Sequence, residues 1–186
     1  MPFGSLWLPV VASAVAVWIV SAIVHMVLRY HRADYKKLAD EDSVAAAVRK
    51  VGPSPGVYFI PYCMEMSQMK DPAIIKKFEE GPVTSLTVMR NGRPSMGKSL
   101  ILWFLLCFLV SFVAAYVARH TLSFGADGRT VLRVIGAIAF AGYGFGYFQD
   151  SIWKGIPWSN SLRGILDAIL YALTTGLVFC WLWPAA

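Results

Sequence analysis

The first 28 residues contain no Lys, Arg, Asp or Glu. Across all 186 residues only 15% are charged, against 57% hydrophobic and 14% aromatic. A soluble domain carries about 25% charge, so this shortage excludes a chain that meets water on every side. Cysteine is scarce too, with three residues, which excludes a disulfide-rich secreted scaffold. Internal repeats and low-complexity tracts are lacking, which argues against a solenoid or a long flexible linker.

What is present is apolar sequence in long runs. Residues 6–28, 100–118, 130–148 and 164–183 approach or exceed the roughly 20 residues of helix that cross a bilayer. The expected fold class is therefore an all-α membrane protein with four transmembrane helices. Residues 1–28 supply the first helix, 29–98 a small cytoplasmic α/β loop element, and 99–186 helices two to four. The first run lacks the basic start of a secretory signal, and basic residues follow it directly. An uncleaved helix is expected.

Basic residues near helix ends set the orientation. Segment 29–98 holds twelve of the seventeen Lys and Arg residues, and Lys154 and Arg163 fall on the same side. The opposite loop, "RHTLSFGADGR", holds only Arg119 and Arg129, with Arg133 just beyond it. Both termini are expected outside and segment 29–98 in the cytoplasm. The net charge of +6 then reads as topology and attraction to an anionic leaflet, with no nucleic acid as partner. Cys63, Cys107 and Cys180 fall at three depths, so no disulfide is expected.

Local signals give segment 29–98 some structure. "ADEDSVAAAVRKVG" has an acidic start and a closing Gly52, as a short helix requires. "GVYFIPY" and "PVTSLTVMRNG" read as strands, the second ending in an Asn-Gly turn. "DPAIIKKFEEG" offers Asp71 as cap, Pro72 at the first helical position and Gly81 after the end.

Residues 92–99 match G-x-x-x-x-G-K-[ST], the phosphate-binding loop, through Gly92, Gly97, Lys98 and Ser99. The match is read as chance. The following helix enters the membrane, Pro94 removes an N–H donor, and too few strands surround it. Lys98 and Arg93 serve instead as topology signals and Ser99 as a helix cap. No cofactor is expected.

Other candidates are weaker. His25 and His120 lie at opposite membrane faces and cannot share an iron. His25, Arg29 and Arg32 share a helical face, from which His31 points away. "CMEMSQM" gathers Cys63, Met64, Met66 and Met69, soft ligands of the kind that select Cu(I), but with no second Cys or His nearby the cluster reads as irregular packing and no metal is assigned. Gln149, Asp150, Asp167 and Arg163 form a candidate polar pocket at the inner boundary. Asp167, one turn inside helix four, is expected to pair with Arg163 at i−4, with Lys154 nearby. Gly142 and Gly146, and Gly164, Ala168, Ala172 and Gly176, recur at four-residue spacing, the pattern of close helix packing.

Three stretches, "HMVLRYHRADY", "GPVTSLTVMRNGRPSMGKSL" and "DSIWKGIPWS", are those of an uncharacterised family of small bacterial multi-pass inner-membrane proteins, which this chain resembles over most of its length. The resemblance implies a bacterial inner-membrane setting and carries no activity or site residues. With no catalytic constellation in view, the leading expectation is a non-catalytic accessory, assembly or interaction protein. Its partners would be the bilayer and a membrane protein or a second copy of itself. The alternative is a small oligomeric ion or solute transporter using Asp167 and Arg133.

Overall fold

The computed structural model describes residues 3–93 and 95–185. They divide into two units: Lys37–Pro94, and the remainder of the chain on either side of it. Segments 29–36 and 95–98 fall with the second of these, a four-helix bundle.

The bundle contains α1 (Trp7–Ile23), α4 (Met96–Thr121), α5 (Gly128–Lys154) and α6 (Trp158–Trp181). With the short turns that extend α1 at each end, all four are long and apolar enough to span a bilayer: Gly4–Leu28, Met96–Thr121, Gly128–Lys154 and Trp158–Trp181. The spans are longer than the apolar runs because polar first and last turns continue the helices. Helix α4 starts at Met96, so Ser99 lies inside it and caps nothing; Ser95 holds the cap position. Helix α6 starts at Trp158, which puts Asp167 about two and a half turns inside rather than one.

The helices alternate in direction around a core of small side chains. At one end Leu6 and Val10 meet Ala114, Ala115, Ala118, Val131, Ile135 and Phe179; toward the other Ala14 and Val17 meet Cys107, Val110, Ala139, Tyr143, Ala168 and Ala172. Close approach of α5 and α6 depends on glycine. A Cβ on Gly164 would lie 2.3 Å from the Tyr147 ring, and one on Gly176 2.6 Å from Leu132. Gly142 packs on Val110, whereas Gly146 has open space beside it. Polar groups in the interior pair across helices, since lipid offers them no partners. Ser13 donates to Ser111 at 2.9 Å, and the Trp103 indole to Ser21 at 2.7 Å.

The Lys37–Pro94 unit lies in sequence between the first and second membrane helices. Helix α2 (Glu41–Val51) starts on Asp40, which accepts the Ser43 N–H, and ends on Gly52 at φ 65°. Helix α3 (Pro72–Glu80) starts on Asp71, which accepts the Ala73 N–H, and ends on Gly81. Strands β1 (Gly56–Ile60) and β2 (Thr84–Val88) pair antiparallel, with Tyr58 opposite Leu86. Among this unit's described residues Pro61 alone is buried. Val51, Val57, Tyr62 and Met64 are each more than 70% exposed.

Candidate functional site

The site lies in the bundle, at the end where α1 finishes and α6 begins. Helix α1 does not run on smoothly. Val24–Leu28 form a π turn, and Arg29 then takes the left-handed conformation at φ 56° and ψ 9°. A 3-10 turn, Tyr30–Asp34, follows. This reversal folds His31 back onto His25, their rings stacked at 4.6 Å and 4°. A straight helix would have separated them, so the two histidines join where spacing alone predicts they part.

Helix α6 provides the other half. Asn160, Arg163 and Asp167 recur at spacings of three and four, on one helical face. The Asn160 amide donates to the Asp34 carbonyl at 3.0 Å. The Arg163 guanidinium donates to the Asp34 carboxylate at 2.6 Å and to the Asn160 side chain at 2.9 Å. The expected Arg163–Asp167 pair is not made: Arg163 turns toward Asp34 instead.

Asp167 is 1% exposed. A carboxylate inside a membrane helix is costly unless it is paired. It takes the Tyr30 hydroxyl on one oxygen and His31 Nε2 at 2.8 Å on the other. His31 Nδ1 meets Asp34 at 2.6 Å, so this imidazole bridges two carboxylates. His25 Nδ1 faces the Ser21 carbonyl at 3.0 Å, and its Nε2 lies 3.9 Å from Asp167. His31 thus lies between the two carboxylates, and the fixed cation of the cluster, Arg163, faces Asp34.

Environment tunes the two groups outside the spans. Burial pushes the Tyr30 hydroxyl well above its ordinary value, and its hydrogen bond to Asp167 pushes it the same way, so it remains a donor. Burial also acts to raise Asp34, but the hydrogen bonds from His31 and Arg163 outweigh it and hold this carboxyl below its usual range.

A cleft of about 400 Å³ reaches the site from the side, lined by Trp18, His25, Leu100, Trp103, Tyr147 and Tyr171 among others. Its walls are mostly apolar, as a groove open to lipid would be.

The other candidates fall elsewhere. Asp150 pairs with Lys154 at 2.6 Å, one turn along α5, and Gln149 is exposed. Arg133 is exposed near the opposite end of α5. His120 lies at the far end of α4 from His25. Cys63 is half-buried, donating weakly to the Glu65 carbonyl, while Met64, Met66 and Met69 are exposed. All three cysteines are free. The strand before Gly92, Gly97, Lys98 and Ser99 belongs to a two-stranded antiparallel sheet, not to the buried parallel sheet that supports a phosphate loop. Pro94 lies outside the described residues.

Fold and site define a polytopic α-helical membrane protein with a charged, hydrogen-bonded cluster inside one end of its bundle. No protein-family model, curated protein or solved structure matches the chain.

Proposed function

We propose that the protein is an interaction or assembly protein of the bacterial inner membrane, without catalysis of its own. Its Lys37–Pro94 unit faces the cytoplasm and docks a protein partner. The observation that carries this reading is the unfinished surface of that unit. Its apolar side chains line an open groove of about 720 Å³ between α2 and β1, with Val48, Val51, Val57, Phe59, Tyr62 and Met64 on its walls. A patch of that kind marks an interaction site. A two-stranded sheet also leaves unpaired strand edges, to which a partner strand can add.

Charge favours protein over membrane surface as the occupant. Residues 37–94 carry eight Lys and Arg against seven Asp and Glu, a net of +1 (8 − 7). Leaflet-binding segments instead concentrate 4–8 uncompensated basic charges, each worth about 1 kcal/mol. The cytoplasmic placement rests on the basic residues that flank this unit and begin α6.

A second reading is a small transporter built around Asp167. A polar line runs down α6 through Asn160, Arg163, Asp167, Tyr171 and Thr175, and the last three are buried. Such a line favours ion or proton movement. Arg133 is not on it.

Gentle detergent extraction followed by pull-down, set beside flux measurements in liposomes, tests both. A stoichiometric partner complex that Val57→Asp disrupts, without Asp167-dependent flux, is expected. Flux abolished by Asp167→Asn in partner-free protein would replace this reading by the transporter.

A further inference from the structure

We infer that His25, His31 and Asp167 form a binding site for a divalent transition-metal ion of the zinc class. One ligand atom from each of the three lies within 4.8 Å of the others. That proximity alone is common, and what distinguishes this site is the arrangement around it.

Each imidazole is held by its Nδ1. His25 Nδ1 faces the Ser21 carbonyl, and His31 Nδ1 faces the Asp34 carboxylate. Both partners only accept, so both Nδ1 atoms carry hydrogen, and in the neutral rings both Nε2 atoms offer a lone pair. Both Nε2 atoms point at one Asp167 oxygen, at 3.9 Å and 2.8 Å. A carboxylate or a backbone carbonyl behind each histidine is the outer-shell pattern that fixes tautomer and ring orientation in metal sites. Arg163 and Asn160 hold Asp34, and Tyr30 holds the remaining Asp167 oxygen. The three donors are thus oriented from behind and converge on one another in front.

The donor set selects the ion. Two imidazoles and a carboxylate suit zinc, cobalt or ferrous iron. Calcium and magnesium prefer oxygen shells, and Cu(I) prefers sulfur. Three protein ligands leave a coordination position free for water or another donor. Binding releases the proton shared by His31 Nε2 and Asp167 to solvent and draws the three donors toward the ion's usual bond length of about 2.0–2.2 Å. His25 is half-exposed beside the cleft, which gives the ion a route in.

This site is independent of the partner groove, and its test uses the full chain, tag-free, in detergent and stripped by chelator. Co(II) is titrated while its visible absorption is followed, and Zn(II) is titrated by calorimetry. One ion per chain is expected, with an intense tetrahedral-type Co(II) spectrum that Zn(II) bleaches. His25 makes a single hydrogen bond at the protein's edge, so His25→Ala keeps the fold; it is expected to weaken binding about 10–100-fold or more. Asp34→Asn, which touches no ion, is expected to weaken it by about 10–100-fold through the loosened His31. His120→Ala and Cys63→Ser should leave binding unchanged. No saturable binding in the wild type, or binding that survives His25→Ala, overturns the site. Loss with His120→Ala or Cys63→Ser overturns it equally.

Discussion

Arg29 holds a left-handed backbone that costs a non-glycine residue about 1–2 kcal/mol. The contacts it makes possible, His31 and Tyr30 on Asp167 and Arg163 on Asp34, offset that cost. Arg29→Gly should therefore stabilise the purified protein by about 1 kcal/mol, while Arg29→Val should destabilise it by more than that, β-branched side chains being least tolerant there. Thermal or SDS unfolding measures both, and equal effects would contradict the strain. Asp34 and Arg163 should show a coupling of about 0.5–3 kcal/mol in a double-mutant cycle of Asp34→Ala and Arg163→Ala; strict additivity would deny the pair. Neither pairing was legible in the sequence. Periodicity extends α1 as a straight helix, which places His31 away from His25, and it offers Arg163 as the nearest cation to Asp167. A π turn and one left-handed residue reverse both inferences, and no residue type at 24–29 announces them. The polar face of α6 was visible in the spacing, but what it grips lies more than 120 residues away.

Helix caps between residues 37 and 94 were more legible. Gly52, Asp71, Pro72 and Gly81 take the positions their chemistry requires, because a cap is a local matter, although the acidic start of α2 did not single out Asp40 and Ser99 proved to lie inside α4. Membrane-helix ends were less legible, since α4 and α6 continue through polar first turns that hydropathy does not register. Asp127 caps α5 by accepting from the Thr130 amide and hydroxyl. Those bonds hold its carboxyl below the ordinary 3.8, so the cap is complete above that pH and fades as pH falls through the lower folded midpoint. Carbon-13 NMR titration should place the Asp127 midpoint below 3.8, and a higher midpoint would contradict the cap. Among the small residues, spacing marked the packing faces but did not separate tight positions from open ones. Gly164→Val should destabilise by about 1–3 kcal/mol through the Tyr147 ring, whereas Gly146→Ala should change stability by less than about 0.5 kcal/mol. Similar costs at the two sites in unfolding experiments would remove the distinction.

For the whole molecule, four spans and an intervening α/β unit follow from composition, because bilayer thickness and the demand for internal backbone pairing leave little else possible. Orientation is a separate proposal. In a cysteine-free background, Lys70→Cys and Ser123→Cys should label from opposite faces of intact cells, Ser123→Cys from outside; labelling of Lys70→Cys from outside would invert it. The claim that matters most is that the groove of the Lys37–Pro94 unit is filled by a protein. Hydrogen exchange over residues 44–60 tests it most directly, compared between native membranes and purified protein in liposomes of the same lipids. Slower exchange in native membranes, regained by Val57→Asp membranes, is the predicted result. Equal exchange in the two preparations would contradict it.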